Sequence, residues 1–171
     1  MSHEIFGISS NEKKPIINAR SETVSEYAMF RTSFLRRRII IVADGFYEWM
    51  NTDTGKQPMR IVLKTRGIFS MAGIYESWNT PEGKKSSCAI LTTEPNRIVA
   101  PIHNRMPVIL HEDDEAAWLD RSNQDDELLR SFLKPYRADL MESYPVSKLV
   151  GDIKYNSELL LKKVSLEPRL F

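Results

Sequence analysis

Between residues 39 and 93 the chain reads as short apolar runs broken every few positions by turn residues. Ile39 to Val42 is β-branched throughout and predicts a buried strand. Phe46 to Trp49 alternates, with Phe46 and Glu48 on one face and Tyr47 and Trp49 on the other. Asp53, Thr54 and Gly55 predict a hairpin turn into a strand over Met59 to Lys64, and Ile68 to Ile74 predicts another strand with Gly73 inside it. Gly83 to Lys85 marks a second turn, followed by a strand over Ser87 to Thr93. Helices are predicted over Ser21 to Leu35, Asp113 to Leu119 and Asp125 to Leu133, and a last strand near Tyr144 to Val146. Ile5, Phe6 and Ile8 hint at one more strand, interrupted by Gly7. Closely spaced strands joined by tight turns predict an antiparallel sheet that curls into a barrel or sandwich, with helices packed outside.

Composition narrows the class. With 171 residues, 42% of them hydrophobic, the chain can bury one core, and a single domain over 1–171 is expected. The 24 basic and 23 acidic residues nearly cancel, but the first 110 residues carry a basic excess and the remainder an acidic one. That front is compatible with a phosphate-bearing partner, as it is with an ordinary enzyme surface. Cys88 is the single cysteine, which leaves neither a disulfide framework nor a thiolate metal site. His3 and His111 stand in unremarkable surroundings, so neither a metal nor another cofactor is expected. No run approaches the roughly 18 apolar residues of a membrane span, and the opening residues lack a secretory pattern; a cytoplasmic monomer is expected.

Three stretches carry candidate chemistry. Glu48 lies in a run of large aromatics after Asp44-Gly45, and an acid flanked by Tyr47 and Trp49 is expected to be partly desolvated, with its pKa raised toward proton donation. The alternative is an edge-strand carboxylate turned to water. Asn18-Ala19-Arg20-Ser21-Glu22-Thr23 gathers an amide, a guanidinium, a carboxylate and two hydroxyls, which suits either a hydrogen-bonded site or a helix cap. Pro101-Ile102-His103-Asn104-Arg105-Met106-Pro107 holds an imidazole and a guanidinium two residues apart between prolines that restrict the backbone, although a lone His is also a common structural residue. Arg36-Arg37-Arg38 can meet phosphates or form a solvated strand entrance, and Trp118 with Leu119 suggests packing on a surface helix.

Taken in order, Asn18 to Thr23, Ala43 to Trp49, Ala72-Gly73-Ile74-Tyr75-Glu76-Ser77-Trp78, Ile90-Leu91-Thr92-Thr93 and His103-Asn104-Arg105-Met106-Pro107 resemble the SOS response-associated peptidase family, also called abasic-site processing proteins. The resemblance runs from about Phe6 to Tyr144-Pro145-Val146 and implies an α+β fold, a β-rich, barrel-like antiparallel sheet with peripheral helices, in agreement with the strand and turn pattern. It further implies binding of single-stranded DNA with an abasic site, and covalent linkage through an N-terminal cysteine whose amine and thiol close a thiazolidine on the sugar aldehyde. On the matching positions, Asn18 would hold the nucleophilic amine, Glu48 would give acid–base help in ring opening, and His103 would protonate or orient the sugar and its phosphate. Arg20 and Arg105 would bind the DNA backbone, with Thr92 as a further DNA contact. Two other readings stay open: a peptidase or hydrolase using Glu48 and His103 to activate water, and a binding module without chemistry.

The chain departs from the family pattern at its start. It opens Met1-Ser2-His3, with 17 residues before Asn18, and Glu4-Ile5-Phe6-Gly7-Ile8 resembles the family's Trp-Gly-Leu-Ile-Pro region with Phe6 in place of tryptophan. A start partway into the family domain is therefore expected, as a fragment or a misassigned start. A degenerate DNA binder, or Ser2 replacing the cysteine, are the alternatives. Cys88 lies within the chain and lacks the free α-amine an imine step needs. Weak single-strand binding without a stable adduct is expected of the chain as it stands.

Overall fold

A computed structural model of the protein describes residues 16–165. The strand hinted at by Ile5, Phe6 and Ile8, and the position of Ser2, lie outside the described residues. In chain order the elements are β1 (Asn18–Arg20), α1 (Ala28–Arg36), β2 (Arg38–Ala43), β3 (Phe46–Thr52), β4 (Gly55–Leu63), β5 (Phe69–Thr80), β6 (Gly83–Thr93), β7 (Met106–Pro107), α2 (Glu112–Leu119), α3 (Asp126–Ser131) and β8 (Met141–Pro145). Single 3-10 turns follow at Lys148–Gly151 and Glu158–Leu161. The fold is α+β with strands dominant. The chain divides into two compact units: Met1–Val42, Phe69–Glu94 and Met106–Tyr136 form one, and Ala43–Ile68, Pro95–Arg105 and Arg137–Phe171 the other. Each has its own sheet, and among the described residues neither sheet closes on itself, so the expected strand-rich α+β fold with outer helices is present as two open sheets.

The first unit is built on a five-stranded sheet in the order β1-β6-β5-β2, with β7 also on β6. β5 and β6 form an antiparallel hairpin, whereas β1 runs parallel to β6, pairing Asn18 with Ile90 and Arg20 with Thr92. A strand that far away in sequence is not bound to hairpin geometry, and the antiparallel expectation fails at this edge. One face of the sheet supplies Ala19, Ala72, Ile74, Ala89 and Leu91 to a core completed by Phe30 and Phe34 of α1, Trp118 of α2 and Leu129 of α3. Trp118 is fully buried and donates its indole N–H to the Ile39 carbonyl at 3.0 Å, while Leu119 faces out.

The first helix is shorter than the sequence predicts. The Ser21 N–H donates to the Thr92 carbonyl at 2.8 Å, extending β1 pairing, and Glu26 and Tyr27 then close a turn on the Thr23 carbonyl. The cap-like residues of 18–23 thus belong to a strand edge and a turn, and α1 begins at Ala28. At α3, in contrast, Asp125 is the cap, accepting the N–H groups of Glu127 and Leu128.

Arg38 ties the helical layer to the sheet. It is 3% exposed, and its five N–H groups all meet backbone carbonyls: Trp118 at 2.6 Å, Phe34 at 3.0 Å, Leu35 at 2.5 Å, Asn123 at 3.0 Å and, at closer range, Asp120. The guanidinium also lies over the Trp118 ring, 5.6 Å from its centroid. Burial lowers the Arg38 pKa, and Asp120 offsets part of that shift. Its place at the end of α1 satisfies carbonyls that the helix leaves without partners. Arg37 pairs with Glu76 and Arg36 with Gln124, so the arginine triplet serves the fold rather than standing open to phosphates.

The second unit has a three-stranded antiparallel sheet in the order β3-β4-β8. Pairing of Tyr47 with Arg60 and of Arg60 with Tyr144 puts these three on one face, where Tyr47, Val62, Tyr144, Val146 and Val150 pack together. Arg60, 7% exposed, donates to the Tyr144 hydroxyl at 2.8 Å and pairs with Asp44 at 2.9 Å. Burial is the largest single influence on Arg60 and lowers its pKa, but the Tyr144 and Asp44 contacts outweigh it and the net shift is upward. Arg66 donates to the same hydroxyl at 3.1 Å and pairs with Glu142 at 2.7 Å. Tyr144 in turn donates to the Leu161 carbonyl at 3.2 Å, and the Val164 N–H reaches the Pro145 carbonyl at 3.0 Å, seating the last described residues on β8.

Replacing Arg38 by methionine takes the guanidinium donor from the Phe34, Leu35, Trp118 and Asn123 carbonyls, while the Asp120 carbonyl keeps the Asn123 N–H at 3.2 Å. An expected loss of about 3 kcal/mol lowers the melting temperature by roughly 6–12 °C, as read by thermal unfolding. A shift below about 2 °C would show that these carbonyls find other partners.

Candidate active site

The β3–β4 register places Glu48. Its cross-strand partner is Met59, 8% exposed, and its neighbours along the same face are Phe46 and Met50. Desolvation by burial raises the Glu48 pKa above the ordinary carboxylate range, His103 acts in the opposite sense, and a hydrogen bond from the Trp49 backbone N–H also lowers it. The shift has the direction the aromatic run suggests, but Tyr47 and Trp49 lie on the other face of the strand. Apolar neighbours on Glu48's own face account for it instead.

His103 comes from the segment between Pro95 and Arg105. Asn96 organises that segment: its carbonyl accepts from Val99 at 3.1 Å and Ala100 at 2.8 Å, and its side-chain oxygen accepts from Ile98 at 3.0 Å and Val99 at 3.2 Å. Its side-chain amide also donates to the Met141 sulfur at 3.2 Å, anchoring the segment to the face that bears Glu48. The Val99 carbonyl then accepts from Ile102 and His103, closing a second turn, with Val99 and Ile102 buried. Main-chain turns started by an asparagine, rather than the flanking prolines alone, aim the imidazole.

His103 Nδ1 stands 3.6 Å from Glu48 Oε1. The same nitrogen lies 3.2 Å from the Arg105 backbone N–H and 3.1 Å from the Arg105 carbonyl. A lone pair on Nδ1 therefore has a donor, and a proton on Nδ1 has an acceptor, so both states of the ring are supported in one pose. Side-chain exposures of 43% for His103 and 24% for Glu48 leave the imidazole open to an incoming molecule while the acid is held back from water.

Arg105 is half-buried and two residues beyond His103, in the same unit as Glu48. Asn18, Arg20 and Thr92 belong to the other unit, where they share one face of the five-stranded sheet. Asn18 and Arg20 are exposed on that face while Ala19 between them is 3% exposed and points to the core. Thr92 Oγ1 donates to the Ala19 carbonyl at 3.4 Å. Cys88 is an exposed free thiol within β6. Among the described residues no cluster of three or more His, Cys, Asp or Glu side chains could hold a metal ion, and no helix is long and apolar enough to cross a membrane.

Two contributors were not evident from the sequence. Asn96 is one, and Pro95-Asn96 ahead of an apolar turn is the capping signal that marks it. Met59 is the other; only the hairpin register connects it with Glu48.

The sequence and fold match known proteins over most of their length. The "Abasic site processing protein YoqW" of Bacillus subtilis (strain 168) is 50% identical over 149 residues, covering 86% of this chain and 66% of that protein. The "Abasic site processing protein YedK" of Escherichia coli (strain K12) is 29% identical over 156 residues, covering 90% of this chain and 69% of that one. A crystal structure of a protein from Bacteroides thetaiotaomicron superposes with a TM-score of 0.80 at 31% identity, over 86% of this chain and 66% of the other. The chain thus spans about two thirds of the length of these relatives. The family model for SOS response associated peptidase (SRAP) matches residues 6–153, a span that takes in both sheets and the Glu48–His103 pair, and the chain belongs to that family.

Proposed function

We propose that this chain processes abasic sites in single-stranded DNA, and that Glu48 and His103 supply the acid–base chemistry that opens the sugar ring. The observation that carries this reading is the pair itself: a carboxylic acid whose pKa is raised by burial, 3.6 Å from an imidazole nitrogen. An abasic deoxyribose rests mainly as a closed hemiacetal. Opening it breaks the C1′–O4′ bond, delivers a proton to O4′ and removes one from the C1′ hydroxyl. Protonated Glu48 gives its proton to O4′, and the neutral imidazole of His103 takes the hydroxyl proton, leaving a free aldehyde for a nucleophile. The names of the relatives support the substrate class. In the unit of Glu48 and His103, Arg105 supplies a phosphate contact; in the other unit Arg20 and Thr92 offer contacts to a DNA backbone, and Asn18 a side-chain amide able to orient an amine.

The ring-opening step can be read without reference to any protein nucleophile. Capture of the aldehyde in a single-stranded abasic oligonucleotide by an added aminooxy probe is expected to run about tenfold or more faster with the chain present, and Glu48→Gln is expected to remove that acceleration. Acceleration retained in Glu48→Gln would remove the acid from the mechanism. Peptide turnover by the wild-type chain, abolished by the same variant, would replace the DNA reading with a hydrolytic one.

Glu48 also sets a pH dependence of stability. Its folded pKa is raised above the unfolded one, so between the two values the folded state binds more protons and stability falls as pH rises. Glu48→Gln is therefore expected to melt about 2–4 °C higher than wild type at pH 7.5, with the gap closing at pH 4. A wild type that melts higher at pH 7.5 would contradict the desolvated acid.

Arg105→Ala is expected to weaken binding to single-stranded DNA and to reduce the slope of log affinity against log salt by about one. An unchanged slope would place Arg105 away from phosphate.

A further inference from the structure

The sequence from Gly45 to Leu63 returns 28 residues later, from Gly73 to Leu91, with eight of nineteen positions identical and no insertion between the two. Gly, Tyr, Glu, Asn, Thr, Gly and Lys recur at 45/73, 47/75, 48/76, 51/79, 52/80, 55/83 and 56/84. The structure repeats with them. Both stretches are hairpins, β3–β4 and β5–β6, paired Thr52 with Gly55 and Thr80 with Gly83, and Tyr47 with Arg60 as Tyr75 with Cys88. Both turns use a glycine at positive φ, +111° at Gly55 and +122° at Gly83, with the threonine hydroxyl donating to that glycine's carbonyl. A Cβ on Gly45 would meet the Ile61 carbonyl oxygen at 3.0 Å, and one on Gly73 would meet the Ala89 carbonyl oxygen at 3.3 Å, again equivalent positions. The two acids even hold one posture: each carboxylate accepts the backbone N–H of the residue after it, Trp49 for Glu48 and Ser77 for Glu76.

What differs is the remaining partner. Among the described residues Glu48 faces an imidazole and no guanidinium at ion-pair distance. Glu76 is paired to Arg37 at the end of α1 and also accepts from the Ser33 hydroxyl at 3.2 Å, a hydroxyl whose residue is fully buried. We infer that the two hairpins are copies of one unit, and that in the β5–β6 copy Arg37 and Ser33 have converted the shared acid into a tie between hairpin and helix, leaving Glu48 as the copy fitted for proton exchange. A permanent cation at bonding distance favours a fixed anion, whereas an imidazole that gains and loses its own proton does not. The same residue at the same register position thus contributes stability in one unit and chemistry in the other.

The activity arm of the test rests on the ring-opening reading above; the stability arm does not. On the whole chain at pH 7.5, Glu76→Gln and Arg37→Met are each expected to lower the melting temperature by about 3–6 °C, and the double variant by less than the sum, the signature of a coupled pair. Glu76→Gln is expected to leave aminooxy capture of abasic single strands within about twofold of wild type. The inference is overturned if Glu76→Gln melts like wild type, if the two losses simply add, or if capture is lost while the melting temperature holds. Should Glu76→Gln not fold, Ser33→Ala takes its place, with an expected drop of about 2 °C and unchanged capture; no drop overturns the tie. If Glu76→Gln destabilises as expected and Glu48→Gln captures like wild type, the tie stands and the ring-opening role falls.

Discussion

Which side of its sheet Glu48 stands on depends on the pairing register of β3 with β4. A slip of one residue would turn the carboxylate to the face where Arg60 and Arg66 converge on the Tyr144 hydroxyl, and there it would sit among permanent cations. The turn at Thr52 and Gly55 pins that register from one end, and the close approach of Gly45 to the Ile61 carbonyl pins it from the other. Side chains larger than hydrogen do not fit at Gly45 without displacing Val62 or Arg60, both about 3 Å away. The properties of the acid are therefore fixed by backbone geometry at two glycines before any neighbouring charge is considered.

The arginines divide between the two faces of this logic. Arg38 and Arg60 are nearly inaccessible to solvent, yet each is surrounded by oxygens of the fold itself, carbonyls for the first and a phenol and a carboxylate for the second. Such cations stabilise because their N–H groups are met from within the fold, all five of them in Arg38, and they are poor recruits for an external anion. Arg20, on β1, is exposed instead. A count of basic residues does not separate the two; contacts made across long stretches of chain do.

Strands and turns between residues 39 and 93 were legible because their signals are local: β-branched runs, period-two alternation, and glycines at positions that need positive φ. The first helix was misjudged at its start because the N–H of Ser21 is claimed by Thr92, more than seventy residues away, and no local pattern announces that bond. The parallel placement of β1 and the five-carbonyl role of Arg38 were hidden for the same reason. At the site, the raised pKa of Glu48 was foreseen, but from the wrong neighbours: residues adjacent in sequence alternate faces, and the side chain that shares Glu48's surroundings, Met59, is reached only across the hairpin. The prolines around His103 were visible, while the asparagine that sets the turns was passed over.

The contacts at the end of the described chain have a consequence for how the molecule would respond to cutting. Ile153 is fully exposed and Tyr155 half exposed, between 3-10 turns at Lys148–Gly151 and Glu158–Leu161, whereas Leu161 and Val164 are bonded back to Tyr144 and Pro145. Scission of the backbone near 153–156 would separate two fragments on a denaturing gel but leave them docked in native buffer. The severed piece would behave as a noncovalent subunit, held to β8 through the Leu161 carbonyl and the Val164 N–H.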